Sequence, residues 1–338
     1  MSGKKYSMLE VVNATLKDEM RRDEKVIYMG ECIAGSAVGW ASGVYEEFGA
    51  NRVIETGLVE NTMVAAGIGM AERGYRPVID PMMADFLTPA YAAMTVAGRN
   101  RLMHGGKMQI PMVIFTTMGG YLGLGPEHSG TPETMVMHMP GLKLAVPSCV
   151  NDARGLLKSA IRDNNPVVYF LHRRLIGDKG ILSDDDSPIP FGVADVKREG
   201  TDVTVVATGF QVSLCLSVAE KLADKGISVE VIDPRTLVPL DIETIVKSVK
   251  KTNRALVVDE DFITCGPGAE IAMQIMEHAF DWLDEPIKRI GGKGVVPATS
   301  ADRFALPQPQ EIADAITSLV GAARVPVDIA AGARLFNY

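Results

Sequence analysis

Strand-like apolar runs alternate with helix-like segments along the whole chain, and this alternation limits the possible folds more than any other feature. Residues 111–116 read Pro-Met-Val-Ile-Phe-Thr. A run that is apolar on both faces belongs in a sheet covered on both sides, which means a parallel sheet flanked by helices. Around it the spacing predicts strands at 25–29, 52–56, 76–80, 142–146 and 167–171. It predicts helices at 8–22, 61–73, 90–103 and 151–162. In the first helix Leu9, Val12, Leu16 and Met20 fall on one face.

The pattern stops at Ser183-Asp-Asp-Asp-Ser-Pro-Ile-Pro190, where acidic residues and prolines cannot continue either element. It restarts with strands at 203–207, 228–233, 255–259 and 287–290 and helices at 212–225, 242–250 and 270–280. The expected architecture is therefore two doubly wound α/β domains, 1–182 and 196–338, with a linker at 183–195 and a mostly parallel sheet in each. A chain of 338 residues is long enough for two cores.

The formal net charge is -8, which argues against a nucleic-acid or membrane-surface partner. No segment approaches the ~18 consecutive apolar residues of a membrane helix. The opening Met-Ser-Gly-Lys-Lys-Tyr-Ser has no apolar run behind it, so no signal peptide is expected. His172-Arg173-Arg174 is the best basic patch, and reads more simply as a solvated turn with ion pairs. Cysteines stand at 32, 149, 215 and 265 without a C-x-x-C pair, which suggests reduced core or near-core thiols in a cytoplasmic protein.

Familiar motifs are missing. Gly120-Tyr-Leu-Gly123-Leu-Gly125 reverses the dinucleotide fingerprint, and Gly291-Gly-Lys-Gly lacks the hydroxyl residue of a phosphate loop. The five histidines are scattered. Two polar positions remain. Glu60 follows a strand and opens a small-residue helix; from position alone it reads as a carboxylate meeting the helix dipole. His128 closes the glycine-rich loop 119–130 after a buried strand. Ligands bind beyond such strand ends, although a lone loop histidine is more often structural or solvated.

Read in order, several stretches resemble the beta subunit of the thiamine-dependent decarboxylating component of 2-oxo acid dehydrogenase complexes, the pyruvate, branched-chain and acetoin enzymes among them. They are Met29-Gly-Glu31, Val53-Ile-Glu-Thr-Gly-Leu-Val-Glu60, Gly67-Ile-Gly-Met-Ala71, Arg76-Pro-Val78 and Ala84-Asp-Phe86. His138-Met-Pro-Gly-Leu-Lys-Leu144 and the stretch Asp152 to Pro166 continue the likeness. So do Glu230-Val-Ile-Asp-Pro-Arg-Thr-Leu-Val-Pro-Leu-Asp241 and Gly266-Pro-Gly-Ala-Glu-Ile271. The resemblance implies a transketolase-like pyrimidine-binding domain followed by a transketolase C-terminal domain. It implies thiamine diphosphate held between two chains, with magnesium and the diphosphate on an alpha subunit through a Gly-Asp-Gly…Asn-Asn motif that this chain lacks. An α2β2 assembly and a lipoyl acyltransferase or other acyl carrier are the implied partners.

Matched by position, Glu60 is the glutamate that hydrogen-bonds the aminopyrimidine N1′ and so promotes loss of the thiazolium C2 proton. A carboxyl group in a largely apolar pocket would have the raised proton affinity this needs. Phe86 matches the aromatic on the pyrimidine face, Leu58 and Met82 match its neighbours, and His128 matches a histidine that guides substrate and acyl transfer. Ala160, Ile161, Asp163 and Asn165 match a potassium-binding loop, where a helix end offers free carbonyls.

The chain departs from the family's usual residues at Cys32, Gly57, Val59, Phe115, Thr117 and Gly130, where Asp, Pro, Ser, Arg, Pro and Gln are common. These positions bear on substrate choice. The expected activity is decarboxylation of a 2-oxo acid with acyl transfer. Cleavage of acetoin or a ketose by the same cofactor is the alternative, and a non-catalytic supporting subunit is the third reading.

Overall fold

The computed structural model describes residues 4–35 and 39–329. Its first half contains β1 (Lys5–Ser7), α1 (Met8–Arg22), β2 (Val26–Glu31), α2 (Val44–Phe48), β3 (Val53–Thr56), α3 (Glu60–Glu72) and β4 (Arg76–Asp80). Next come α4 (Tyr91–Met103), β5 (Val113–Met118), α5 (Glu133–Met137), β6 (Lys143–Ala145), α6 (Val150–Arg162), β7 (Val167–His172) and β8 (Lys179–Ile181). Then follow β9 (Asp195–Arg198), β10 (Val203–Ala207), α7 (Phe210–Ala223), β11 (Val229–Asp233), β12 (Thr236–Val238) and α8 (Ile242–Thr252). The chain finishes with β13 (Ala255–Phe262), α9 (Pro267–Ala279), β14 (Lys288–Gly292) and α10 (Pro309–Leu319).

Two units are separated by their internal contacts. The first comprises the chain to Met118 plus Met135–Phe191. Its main sheet runs β6-β7-β5-β4-β2-β3, with every pairing parallel. Every residue of β2, β5 and β7 is buried. That is why the β5 sequence lacks polar alternation: both of its faces are covered. Helix α1 begins with a capping box in which Ser7 Oγ accepts from Glu10 N–H and Glu10 accepts from Ser7 N–H at 2.7 Å.

The second unit comprises Gly119–Thr134 and the chain from Gly192 onward. Its sheet runs β14-β13-β10-β11-β9. All neighbours are parallel except β9, which pairs antiparallel with β11 through an irregular register. The periodicity predicted neither β9 nor the β1–β8 antiparallel ladder, because segments of three or four residues carry too little pattern.

The expected linker is largely structured. Arg154 of α6 donates to the carbonyls of Ser183 at 2.9 Å and Asp185 at 2.8 Å, and Lys158 pairs with Asp186 at 2.5 Å. Gly155 makes room for Ile189; a Cβ there would come within 2.4 Å of that side chain. Residues 183–191 therefore belong to the first unit, and Asp195–Arg198 is a strand of the second.

Two surface expectations also change. His172 and Arg173 are buried, and His172 Nδ1 accepts the Arg174 N–H at 3.1 Å, so this stretch is not a basic patch and is not fully solvated. The expected ion pairs are present: Arg173 with Asp85 at 3.9 Å and Arg174 with Asp178 at 3.4 Å. Cys32 and Cys265 are exposed and only Cys215 is fully buried. All four cysteines are free thiols.

Candidate active site

Three neighbouring strands, β3, β2 and β4, end on one edge of the first sheet. The chain runs from β2 to β3 on one side and returns to β4 on the other. A strand order that reverses in this way opens a crevice at the carboxyl ends, the usual ligand position in parallel sheets.

At the end of β2, Gly30 allows the strand to press against β4. A Cβ there would lie 2.5 Å from the Asp80 carbonyl oxygen. Glu31 follows, 1% exposed, and among the described residues neither of its carboxylate oxygens has a hydrogen-bond partner. Burial pushes its carboxyl up to about 7, and the charges of Glu60 and Asp80 add to the rise. The result is a group that exchanges its proton near neutral pH.

The loop after β3 carries Leu58, 72% exposed, Val59, 45% exposed, and half-buried Glu60. Glu60 is the first residue of α3. The N-cap residue, Val59, provides no side-chain acceptor, so no side chain caps this positive helix end and the Glu60 carboxylate lies in its first turn. Exposed apolar residues beside a helix-end carboxylate make a surface suited to cover by a ring or a partner.

The loop after β4 is more tightly held. Asp80 is fully buried and accepts hydrogen bonds from Trp40 Nε1 at 2.8 Å, from Met82 N–H at 2.8 Å and from the Tyr28 hydroxyl. Burial raises its proton affinity, and the Tyr28, Trp40 and Met82 hydrogen bonds oppose that rise. Met82 takes a left-handed backbone, φ +64°. That conformation costs a non-glycine residue roughly 1–3 kcal/mol and persists only where the surroundings impose it. Phe86 lies half-buried in the short 3-10 turn Ala84–Leu87.

Glu60, Leu58, Met82 and Phe86 thus share one sheet edge. Ala160, Ile161, Asp163 and Asn165 lie at the other, where α6 ends and β7 begins. There Arg76 donates to the carbonyls of Ile161 at 3.1 Å and Asp163 at 2.9 Å. The Asp163 carboxylate accepts from Asn165 N–H at 2.8 Å and pairs with Lys143. Two of the four expected oxygens therefore already face a guanidinium, each with one lone pair left.

His128 belongs to the second unit, although its sequence position suggested the first. The glycine-rich loop is fastened there by polar contacts. Gly120 N–H donates to Glu260 at 2.5 Å, Tyr121 donates to the Pro307 carbonyl at 2.8 Å, and Thr134 Oγ1 donates to Asp261 at 2.6 Å. His128 is half-buried, with its N–H 3.3 Å from the Gly125 carbonyl.

Glu31 and Asp80 escaped the motif reading as site residues. Glu31 stood in the stretch Met29-Gly-Glu31, but only burial without a partner marks it out. Asp80 reads as an ordinary strand end until its three donors are seen.

Comparison with known proteins agrees with this geometry. The description "Transketolase, pyrimidine binding domain" matches residues 4–179, and "Transketolase, C-terminal domain" matches 192–312. The mitochondrial pyruvate dehydrogenase E1 component subunit beta of Dictyostelium discoideum is 41% identical over 321 residues, covering 92% of this chain and 90% of the relative. The chain belongs to the dehydrogenase E1 beta-subunit family. This beta subunit is also 38% identical to the acetoin:2,6-dichlorophenolindophenol oxidoreductase subunit beta of Bacillus subtilis, covering 93% of this chain and 97% of the relative. It is 38% identical to the 2-oxoisovalerate dehydrogenase subunit beta of the same organism, covering 93% and 98%. Among solved structures, a split-gene transketolase described as an inactive beta4 tetramer aligns at TM-score 0.78 and 20% identity over 93% of the beta subunit and 98% of that chain. Transketolase of Campylobacter jejuni aligns at 0.69 and 16% over 95% and 47%. At these identities the structures establish the shared two-domain fold. Among the described residues no helix is long and apolar enough to cross a membrane.

Proposed function

We propose that this beta subunit joins an alpha subunit in an α2β2 enzyme and binds the aminopyrimidine end of thiamine diphosphate. The assembly decarboxylates a 2-oxo acid and passes the acyl group to a lipoyl domain or another carrier. One observation carries the reading: the β3, β2 and β4 ends bring an apolar wall, Leu58, Met82 and Phe86, to the same edge as the Glu60 carboxylate, with Glu31 buried behind it. A flat heteroaromatic ring fits such an edge, since its faces need apolar cover and its ring nitrogen needs a carboxyl partner.

Bound thiamine diphosphate supplies the carbon nucleophile for the substrate carbonyl. This chain's own part is binding and proton handling. Phe86, Leu58 and Met82 cover the ring and exclude water from it. Glu60 holds a proton at the ring nitrogen. Glu31, buried behind that edge with its carboxyl pushed up to about 7, keeps a second proton-binding group beside the site. The diphosphate and magnesium fall to the alpha subunit, because the chain has no Gly-Asp-Gly…Asn-Asn pattern. His128 guides the substrate and acyl transfer, and the carbonyls around Ile161 and Asp163 take a potassium ion on their remaining lone pairs. Free thiols suit a cytoplasmic setting.

Acetoin or ketol cleavage is the second reading. Its support is the acetoin-oxidising relative, as similar as the 2-oxoisovalerate one, together with Gly57 and Val59 beside Glu60. The test is co-expression with the alpha subunit, followed by a panel of 2-oxo acids, acetoin and ketose phosphates with an artificial electron acceptor. Glu60→Gln should lower turnover at least ~100-fold, the scale of a lost acid–base group. Parental turnover in that variant would refute the assignment.

A further inference from the structure

We infer that Asp80 is a positioning residue for the cofactor edge: together with Thr117 it clamps the Met82 backbone in its left-handed conformation and so fixes the wall that Met82 forms. The inference rests on reading that edge as the pyrimidine site. Asp80 sits at the end of β4, fully buried, and its two oxygens take three donors from three places. Tyr28 comes from β2, Trp40 from the turn Gly39–Ala41, and the Met82 N–H from the following loop. The two aromatic donors are themselves buried, so the carboxylate cannot turn away from Met82.

The other side of Met82 is held as well. Its carbonyl accepts from Thr117 Oγ1 at 2.8 Å and from Thr117 N–H at 3.2 Å, at the end of β5. Neither helix nor strand would keep a methionine at φ +64°. A buried carboxylate is costly unless its lone pairs are used. Here all three donors point to a single task, and Gly30 leaves β2 free to approach Asp80; a Cβ would sit 2.8 Å from the Asp80 Cβ. A loop needed only for chain connection would require none of this.

The test uses the assembled enzyme with its alpha subunit and titrates thiamine diphosphate at saturating substrate. Asp80→Asn keeps the size but turns one acceptor into a donor, so at least one of the three contacts fails whichever way the amide points. It should weaken apparent cofactor affinity about ten-fold, the scale of one lost hydrogen bond to a charged group, with a smaller loss of kcat at saturation. Thr117→Val removes the hydroxyl contact without touching a buried charge and should weaken affinity about three-fold in the same direction. Parental affinity in both assembled variants would overturn the inference. So would losses of affinity and kcat that merely track a lowered melting temperature. If Asp80→Asn does not assemble, Thr117→Val decides alone. Failure of the unaltered complex to bind thiamine diphosphate would refute the functional reading itself. If the unaltered complex binds, Glu60→Gln loses turnover and both Asp80→Asn and Thr117→Val titrate like the parent, only the positioning role falls.

Discussion

Glu31→Gln should make this protein less sensitive to rising pH. In the unfolded chain the Glu31 carboxyl titrates at the ordinary 4.5; in the fold, burial first and then Glu60 and Asp80 push it up to about 7. The folded state therefore holds the proton more tightly. Its favourable contribution is fully present below 4.5 and is lost as pH rises through about 7. At about 1.36 kcal/mol per pH unit, the gap sets an upper bound of about 3 kcal/mol. Water beside the exposed Leu58 and Val59 screens the charges and brings this to about 1–2 kcal/mol. The amide introduced by Glu31→Gln also lacks partners, at a cost of about 1–3 kcal/mol, but that cost is the same at every pH. The difference between variant and parent should thus move in the variant's favour by about 1–2 kcal/mol between about pH 4.5 and pH 8. Urea unfolding followed by circular dichroism across that range measures it. A difference that stays constant with pH would refute the reasoning, because it would mean that Glu31 titrates alike in both states.

Other outcomes follow from the same structure. Gly30→Ala forces a Cβ to within 2.5 Å of the Asp80 carbonyl oxygen and should destabilise the protein by about 2 kcal/mol or more, visible in the urea midpoint. Replacing choline chloride by potassium chloride should raise the melting temperature by about 2–4 °C if potassium binds between Ile161 and Asp163. An unchanged melting temperature would remove the ion from that loop, leaving Arg76 and Lys143 as the cations that face it among the described residues. His128→Ala should spare decarboxylation followed with an artificial acceptor and depress transfer to a lipoyl domain by about 100-fold, so equal loss of both would deny the histidine its transfer role.

Much of the candidate site was legible because the proposed residues lie within short stretches. Residues 58–60 follow one strand and 82–86 follow another, and each strand was visible from its apolar run. Glu60 itself was ambiguous in isolation. A glutamate at a helix start has an ordinary explanation in the dipole, and the structure keeps that explanation: it is the first residue of α3. What adds chemistry is the company of Glu31 and an apolar wall. Glu31 gave no sign of its proton affinity, since burial without a hydrogen-bond partner is a property of the packing around β2 and β4.

The sequence by itself determined two parallel-sheet domains, because covering both faces of a strand leaves a mark on every residue in it. It also determined the family, through the order of many short stretches. Tertiary structure alone decided that residues 119–134 pack with the second unit, that 183–191 pack with the first, and that Arg173 is buried. The physical reason is the same in each case. A local pattern records which faces an element must hide; a loop or a charged side chain is held by distant donors and acceptors such as Glu260, Arg154 and Asp85, which no local pattern contains.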